Sequence, residues 1–124
     1  MAKSAGKVRT PESLLPLTPA TFQILMALVD GERHGYAIMK EVEERTDGGV
    51  RLGPGTLYGS LKRLLESGLV DEGAERSDPD MGDERRRYYR ITPFGLSVAR
   101  AEANRMDAVV RTARKKKLIG LKPA

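Results

Sequence analysis

The order of the chain's punctuation limits its fold more than anything else in it. Three helix-length segments come first, each closed by a turn signal. Two strand-like runs then flank a polar, turn-rich stretch, and a long last helix follows. The first helix opens at Thr18-Pro19, where threonine can cap free N–H groups and proline suits the first helical position. Phe22, Leu25, Met26 and Val29 follow at i, i+3, i+4 and i+7, and Ile24 and Leu28 add apolar surface on another flank. That helix should sit between two packing partners and end at Asp30-Gly31. The second runs from about His34 or Gly35 to Thr46, with Ile38 and Val42 on one face, and stops at Asp47-Gly48-Gly49. Val50-Arg51-Leu52 reads as a short extended rung. The third starts at Pro54 or soon after and runs to about Ser67. Leu57, Leu61, Leu64 and Leu65 form its buried stripe, and Gly68 lies just past its end.

Leu69-Val70 opens a strand to about Glu75, Arg76 to Glu84 form a loop, and Arg86 to Ile91 make a second strand. Alternation puts one of Tyr88 and Tyr89 against the core and the other outward, without saying which. Thr92-Pro93 repeats the capping signal of Thr18-Pro19. In the helix it starts, Leu96, Ala99, Ala103, Met106, Val110 and Ala113 fall at steps of 3, 4, 3, 4 and 3, a heptad seam. Some 25 residues at 1.5 Å each span roughly 38 Å, longer than so small a domain is wide, so a second chain is the simplest cover for the seam. The fold class expected is mainly α with a small β-hairpin wing: a winged helix-turn-helix plus a long C-terminal dimerisation helix. The units are a flexible basic arm (1–16), the winged helix-turn-helix (17–91), the dimerisation helix (92–119) and a tail (120–124).

Composition narrows the function. The 124 residues carry 22 Lys+Arg against 17 Asp+Glu, for a formal net charge of +5. That is a mild hint of nucleic acid, but the charge lies in blocks. Residues 71–84 hold seven carboxylates against Arg76, and the next six residues hold four arginines. With no cysteine and a single histidine, disulfide scaffolds and Cys-ligated zinc are excluded. The longest apolar run, Ile24 to Val29, is far short of a membrane span. No leader pattern opens the chain, so it is expected to be cytoplasmic. Enzymatic signatures fail. Gly53, Gly55 and Gly59 miss the dinucleotide spacing by one residue, and Pro54 stands where a P-loop needs lysine. His34 has no catalytic partner and reads as a helix-start residue. Asp78, Asp80, Gly82 and Asp83 resemble a calcium loop only loosely. The basic end, Arg114 to Ile119, has too little apolar area to hold a membrane surface well. No cofactor, metal or catalytic residue is expected.

In a winged helix-turn-helix the third helix would enter a major groove of double-stranded DNA. Its open side offers Thr56 and Tyr58 as hydrogen-bonding groups and Lys62 and Arg63 as phosphate or base contacts. Gly55 and Gly59 would allow close approach. A winged helix used for protein–protein or RNA contacts is the alternative.

Four motifs resemble the PadR family of winged-helix transcriptional regulators, in the family's order, over about residues 17–97. They are His34-Gly35-Tyr36; Gly53-Pro54-Gly55-Thr56-Leu57-Tyr58; Leu61-Lys62-Arg63-Leu64 with Gly68-Leu69-Val70; and Arg86-Arg87-Tyr88-Tyr89-Arg90-Ile91-Thr92-Pro93-Phe94-Gly95. The single last helix is similar to the shorter subfamily. The resemblance implies a homodimeric DNA-binding protein, usually a repressor, on an inverted-repeat operator. Tyr36, Thr56, Tyr58 and Lys62 match positions that face DNA, and Arg86 and Arg87 match the basic start of the second wing strand. It implies a dimer built by the first and last helices, which assigns Phe22 and Leu25 to the interface with Leu96, Ala99, Ala103, Met106 and Val110. A small apolar or aromatic effector between the last helices is the family-level expectation. Three features depart from the family. Gly59-Ser60 stands where many relatives have proline. The wing tip is acidic, with Asp78, Asp80, Asp83 and Glu84. There is no tryptophan to sandwich a flat aromatic ligand.

Overall fold

A computed structural model describes residues 9–77 and 85–120. A single 3-10 turn, Pro11–Leu14, leads into α1 (Pro19–Val29), β1 (Arg33–His34), α2 (Gly35–Arg45), α3 (Pro54–Glu66), β2 (Val70–Ser77), β3 (Arg85–Ile91) and α4 (Pro93–Lys115). The strands form one antiparallel sheet in the order β1-β3-β2. This is the winged helix-turn-helix with its last helix. No helix among the described residues is long and apolar enough to cross a membrane.

Among the described residues, three of the four α-helices begin on a side-chain cap. Thr18 Oγ1 accepts the Thr21 N–H at 3.1 Å and Thr92 Oγ1 accepts the Gly95 N–H at 2.9 Å. His34 does the same for α2, its Nδ1 accepting the Ala37 N–H at 3.1 Å. Such a cap contributes about 1 kcal/mol. The third helix ends as expected: Gly68 takes φ +77°, Leu69 N–H reaches the Leu64 carbonyl at 2.9 Å, and Gly68 N–H reaches that of Leu65. A left-handed residue there satisfies carbonyls that would otherwise lack partners.

The core gathers Ile24, Leu25 and Leu28 of α1, Ile38 and Val42 of α2, Leu57, Leu61 and Leu64 of α3, Leu69, Val70 and Tyr89 of the hairpin, and Val98 and Ala99 of α4. Burying one Leu or Ile side chain contributes about 1.5–3 kcal/mol. Leu25 is 0% exposed. It serves the protomer's own core and has no surface for a partner, which corrects its assignment to the dimer face. The apolar spacing of α1 fits either flank, and α2, α3, β3 and α4 all pack on that helix.

Several other expectations change. Val50–Leu52 is not a ladder rung; the third strand is Arg33–His34, paired with Tyr89 and Tyr88. With β1 on one edge of β3 and β2 on the other, both tyrosines are buried. Tyr89 enters the apolar core. Tyr88 is covered on the opposite face by His34, edge-on at 5.3 Å, and by the Arg76 guanidinium, 3.6 Å above its ring. The first wing strand continues through Arg76 to Ser77, and the acidic tip lies outside the described residues.

The arm expected over 1–16 packs on the domain where it is described. Leu14 and Leu15 pack against the core. The Arg9 guanidinium donates to the Ser67 carbonyl at 2.5 Å and lies 4.7 Å over the Phe94 ring. It joins the end of α3 to the start of α4. Thr92 strengthens that junction, its hydroxyl donating to the Gly68 carbonyl at 2.7 Å and its N–H to that of Leu69. Gly95 lies so close to the Leu69 carbonyl that no side chain fits there.

Buried Glu102 ties the leading segment to α4. It accepts the Leu17 N–H at 3.0 Å and two N–H groups of Arg105 at 2.5 and 3.2 Å. These bonds, that to Arg105 above all, hold its carboxyl pKa below the ordinary value against the opposing effect of burial.

Candidate nucleic-acid interface

The third helix turns Leu57, Ser60, Leu61 and Leu64 inward. That leaves Gly55, Thr56, Tyr58, Lys62 and Arg63 exposed, with Gly59 half-buried among them. All the expected contact residues of this helix therefore share one open side. They are not equivalent. Arg63 sits at its margin, where Nη2 donates to Ser60 Oγ at 3.3 Å and the side chain borders a hollow of about 120 Å³ with Leu14, Leu17 and Thr21. Lys62 and the two glycines occupy the middle.

The glycines are unexplained by the protein's own packing. A Cβ at Gly55 would meet nothing within 4 Å, and one at Gly59 would meet only the Arg63 Nη1 at 3.8 Å. Neither has the positive φ that favours glycine. Glycine inside a helix destabilises it by about 0.5–1 kcal/mol relative to alanine, so the fold would be better served by alanine at both. The same helix begins at Gly53 without a side-chain cap, which leaves its first N–H groups open to an anion.

Tyr58 and Gly35 explain each other. The Tyr58 ring end lies over Gly35, where a Cβ would come within 2.8 Å of Tyr58 Cζ. Glycine at the first position of α2 thus lets the tyrosine lie against that helix while remaining 48% exposed. Tyr36 is exposed beside it. Behind them, burial, the Glu72 carboxylate and Tyr58 all push the Tyr89 hydroxyl pKa up.

The wing is less simply basic than expected. Arg87 is exposed but held between Glu72 at 3.1 Å and Glu75 at 3.2 Å. Arg86 is half-buried, opposite Arg76 in the ladder. Glu32, in the turn before β1, pairs with Arg76 and with Arg90, the latter at 4.0 Å. The signal missed in the sequence was the carboxylate content of β2 itself, which reads as a solvated acidic run. Among the described residues no group of three or more His, Asp or Glu could hold a metal ion.

A second surface lies between α1 and α4. Phe22, Met26 and Val29 of α1 and Leu96, Ala99, Arg100 and Ala103 of α4 line an open groove of about 260 Å³. Ala99 is nearly covered and forms only its floor. Beyond it α4 leaves Met106, Val109 and Val110 at 43%, 57% and 38% exposure. Met26, Val29 and Val109 were not assigned to this face from the sequence, although the first two continue the spacing of Phe22.

Residues 24–101 match the Transcriptional regulator PadR-like family. A transcriptional regulator of Mycobacterium tuberculosis is 34% identical over 89 residues, 71% of this chain and 76% of that protein. An uncharacterized 37.1 kDa protein in a transposon of Streptomyces fradiae is 40% identical over 87 residues; the match covers 70% of this chain but only 23% of the transposon protein. Among solved structures, a PadR family transcription regulator from Clostridium difficile superposes with a TM-score of 0.66 at 25% identity, covering 77% of this chain and 95% of that one.

Proposed function

The chain belongs to the PadR-like family of transcriptional regulators, DNA-binding regulators rather than enzymes, and on that basis we propose that it is a homodimeric repressor of an inverted-repeat operator. The observation that carries the reading is the pair of glycines on the open side of α3. They weaken the helix, the fold makes no use of them, and they share the middle of its open side with Lys62. Thr56, Tyr58 and Tyr36 supply hydrogen-bonding groups to base edges or phosphates. Lys62 supplies charge, and the uncapped start of α3 suits a phosphate. Arg63, Arg86 and Arg87 stand at the borders of this surface as backbone contacts.

The groove between α1 and α4, continued by Met106, Val109 and Val110, supports the dimer. Phe22, Leu96, Ala103, Met106 and Val110 then face a second copy. A two-fold pair would place its reading helices in successive major grooves, about 34 Å apart. A small apolar or aromatic effector lodged between the last helices would change that spacing and release the operator. The test is selection of bound duplexes from a genomic DNA pool. Enrichment of inverted repeats with half-sites one helical turn apart is expected. Enrichment of single half-sites, or of nothing, refutes the reading.

A further inference from the structure

Glu72 and Glu75 are three residues apart in β2, and in a regular strand residues three apart point to opposite faces. Here they reach the same guanidinium. The ladder shows how: Glu72 lies opposite Tyr89 and Glu75 opposite Arg87, so three steps along β2 match two along β3. One extra residue in a β-bulge turns the second carboxylate back to the face of the first. Both then bind Arg87, Glu72 on Nη1 at 3.1 Å and Glu75 on Nη2 at 3.2 Å. The two nitrogens that would grip a phosphate as a fork are the two occupied.

Resting on the DNA-binding reading above, we propose that Glu72 and Glu75 are specificity-determining residues that hold Arg87 as a phosphate would and keep it from arbitrary duplex. Two features carry this. Both contacts are longer than the 2.7–2.9 Å of tight charged pairs. All three side chains are 39–52% exposed, so water and ions reach them and the pairing is exchangeable. A phosphate brought into place by operator seating on α3 displaces the carboxylates; one met in passing does not. Arg87 and Tyr89, two apart in β3, share one face of the ribbon, and Tyr89 enters the core there, so the group lies on the helix side of the wing.

The experiment uses the full chain, a random-sequence duplex and an operator taken from the genomic selection, with affinities measured by fluorescence anisotropy between 50 and 200 mM salt. Five proteins are compared: wild type, Glu75→Gln, Glu72→Gln/Glu75→Gln, Arg87→Ala, and the three changes combined. The glutamine pair should bind random duplex more tightly, with a log–log salt slope steeper by about 0.9 for one added phosphate contact, about 3.5-fold more affinity lost across that salt range. Operator affinity should gain less, so discrimination falls. Arg87→Ala alone should weaken operator binding more than random-duplex binding, and added to the glutamine pair it should erase the gain. Glu75→Gln alone should give a smaller change of the same sign. Unchanged random-duplex binding by the glutamine pair overturns the proposal. So does a gain that survives the loss of Arg87, because it would then come from overall charge. A wild type that binds neither duplex overturns the DNA-binding reading as well, and is distinguishable because every arm is then silent.

Discussion

Replacing Gly55 and Gly59 by alanine should move stability and DNA affinity in opposite directions. Each change removes the entropic penalty of a helical glycine, about 0.5–1 kcal/mol. Nothing offsets that gain: the new methyl at position 55 has no neighbour within 4 Å, and the one at 59 makes only an ordinary contact with Arg63. The double variant should therefore be more stable by about 1–2 kcal/mol. At roughly 4 °C per kcal/mol for a chain of this size, that is a rise of roughly 4–8 °C in Tm, compared at fixed protein concentration. On the duplex the same methyls stand where the backbone of α3 would approach the groove. Losing that approach should weaken operator binding by about 1–3 kcal/mol, the scale of a good base contact. Thermal melting by circular dichroism and anisotropy titration on one preparation decide it. A higher Tm with unchanged operator affinity would refute close approach as the reason for the glycines. A lower Tm would refute the claim that the fold has no use for them.

Other outcomes can be checked on the same protein. Glu102→Gln weakens the bonds to Leu17 and Arg105 and should destabilise the fold by about 1.5–3 kcal/mol in urea unfolding. Because folding lowers the pKa of Glu102, its contribution is present above the ordinary carboxylate value and lost as pH falls through the folded-state value; the variant should show a flatter acid side of the stability profile. Gly95→Ala drives a Cβ into the Leu69 carbonyl and within 2.9 Å of Ile91 Cγ1, and should lower stability by about 1–3 kcal/mol or prevent folding. Gly35→Ala meets only the movable end of Tyr58, so melting should change less than operator affinity. Val110→Glu puts charge on the exposed α4 face; light scattering should show loss of the dimer and anisotropy loss of operator binding together.

Signals carried by neighbouring residues were readable in the sequence. Thr18, His34 and Thr92 cap the helices they were expected to start, and Gly68 ends α3, because caps are local chemistry. The leucine stripe of α3 follows from helical period alone, and with it the shared exposure of Thr56, Tyr58 and Lys62. What depended on distant segments was not readable. Arg33–His34 is two residues with no pattern and becomes a strand only because β3 offers it an edge. That edge then covers Tyr88, which alternation could assign to either face. Leu25 shares the spacing of Phe22, and only the neighbours of α1 decide which flank is core. Glu102 reads as a solvated charge until Leu17 comes back to meet it. The bulge that brings Glu72 and Glu75 to Arg87 is a mismatch between two strands, so neither run shows it.

The junction between α3 and α4 has a mechanical consequence. Arg9, Thr92 and the missing side chain at Gly95 fasten the end of one helix to the start of the other. The 23 residues of α4 form a lever about 34 Å long. With its base clamped, a tilt of about 5° at the far end of that lever is not absorbed at a hinge but carries α3 with it. Over that length such a tilt is a displacement of about 3 Å, close to the 3.4 Å step between base pairs. In the proposed pair, a slight change in how two α4 helices cross would move each reading head by about one rung of the duplex.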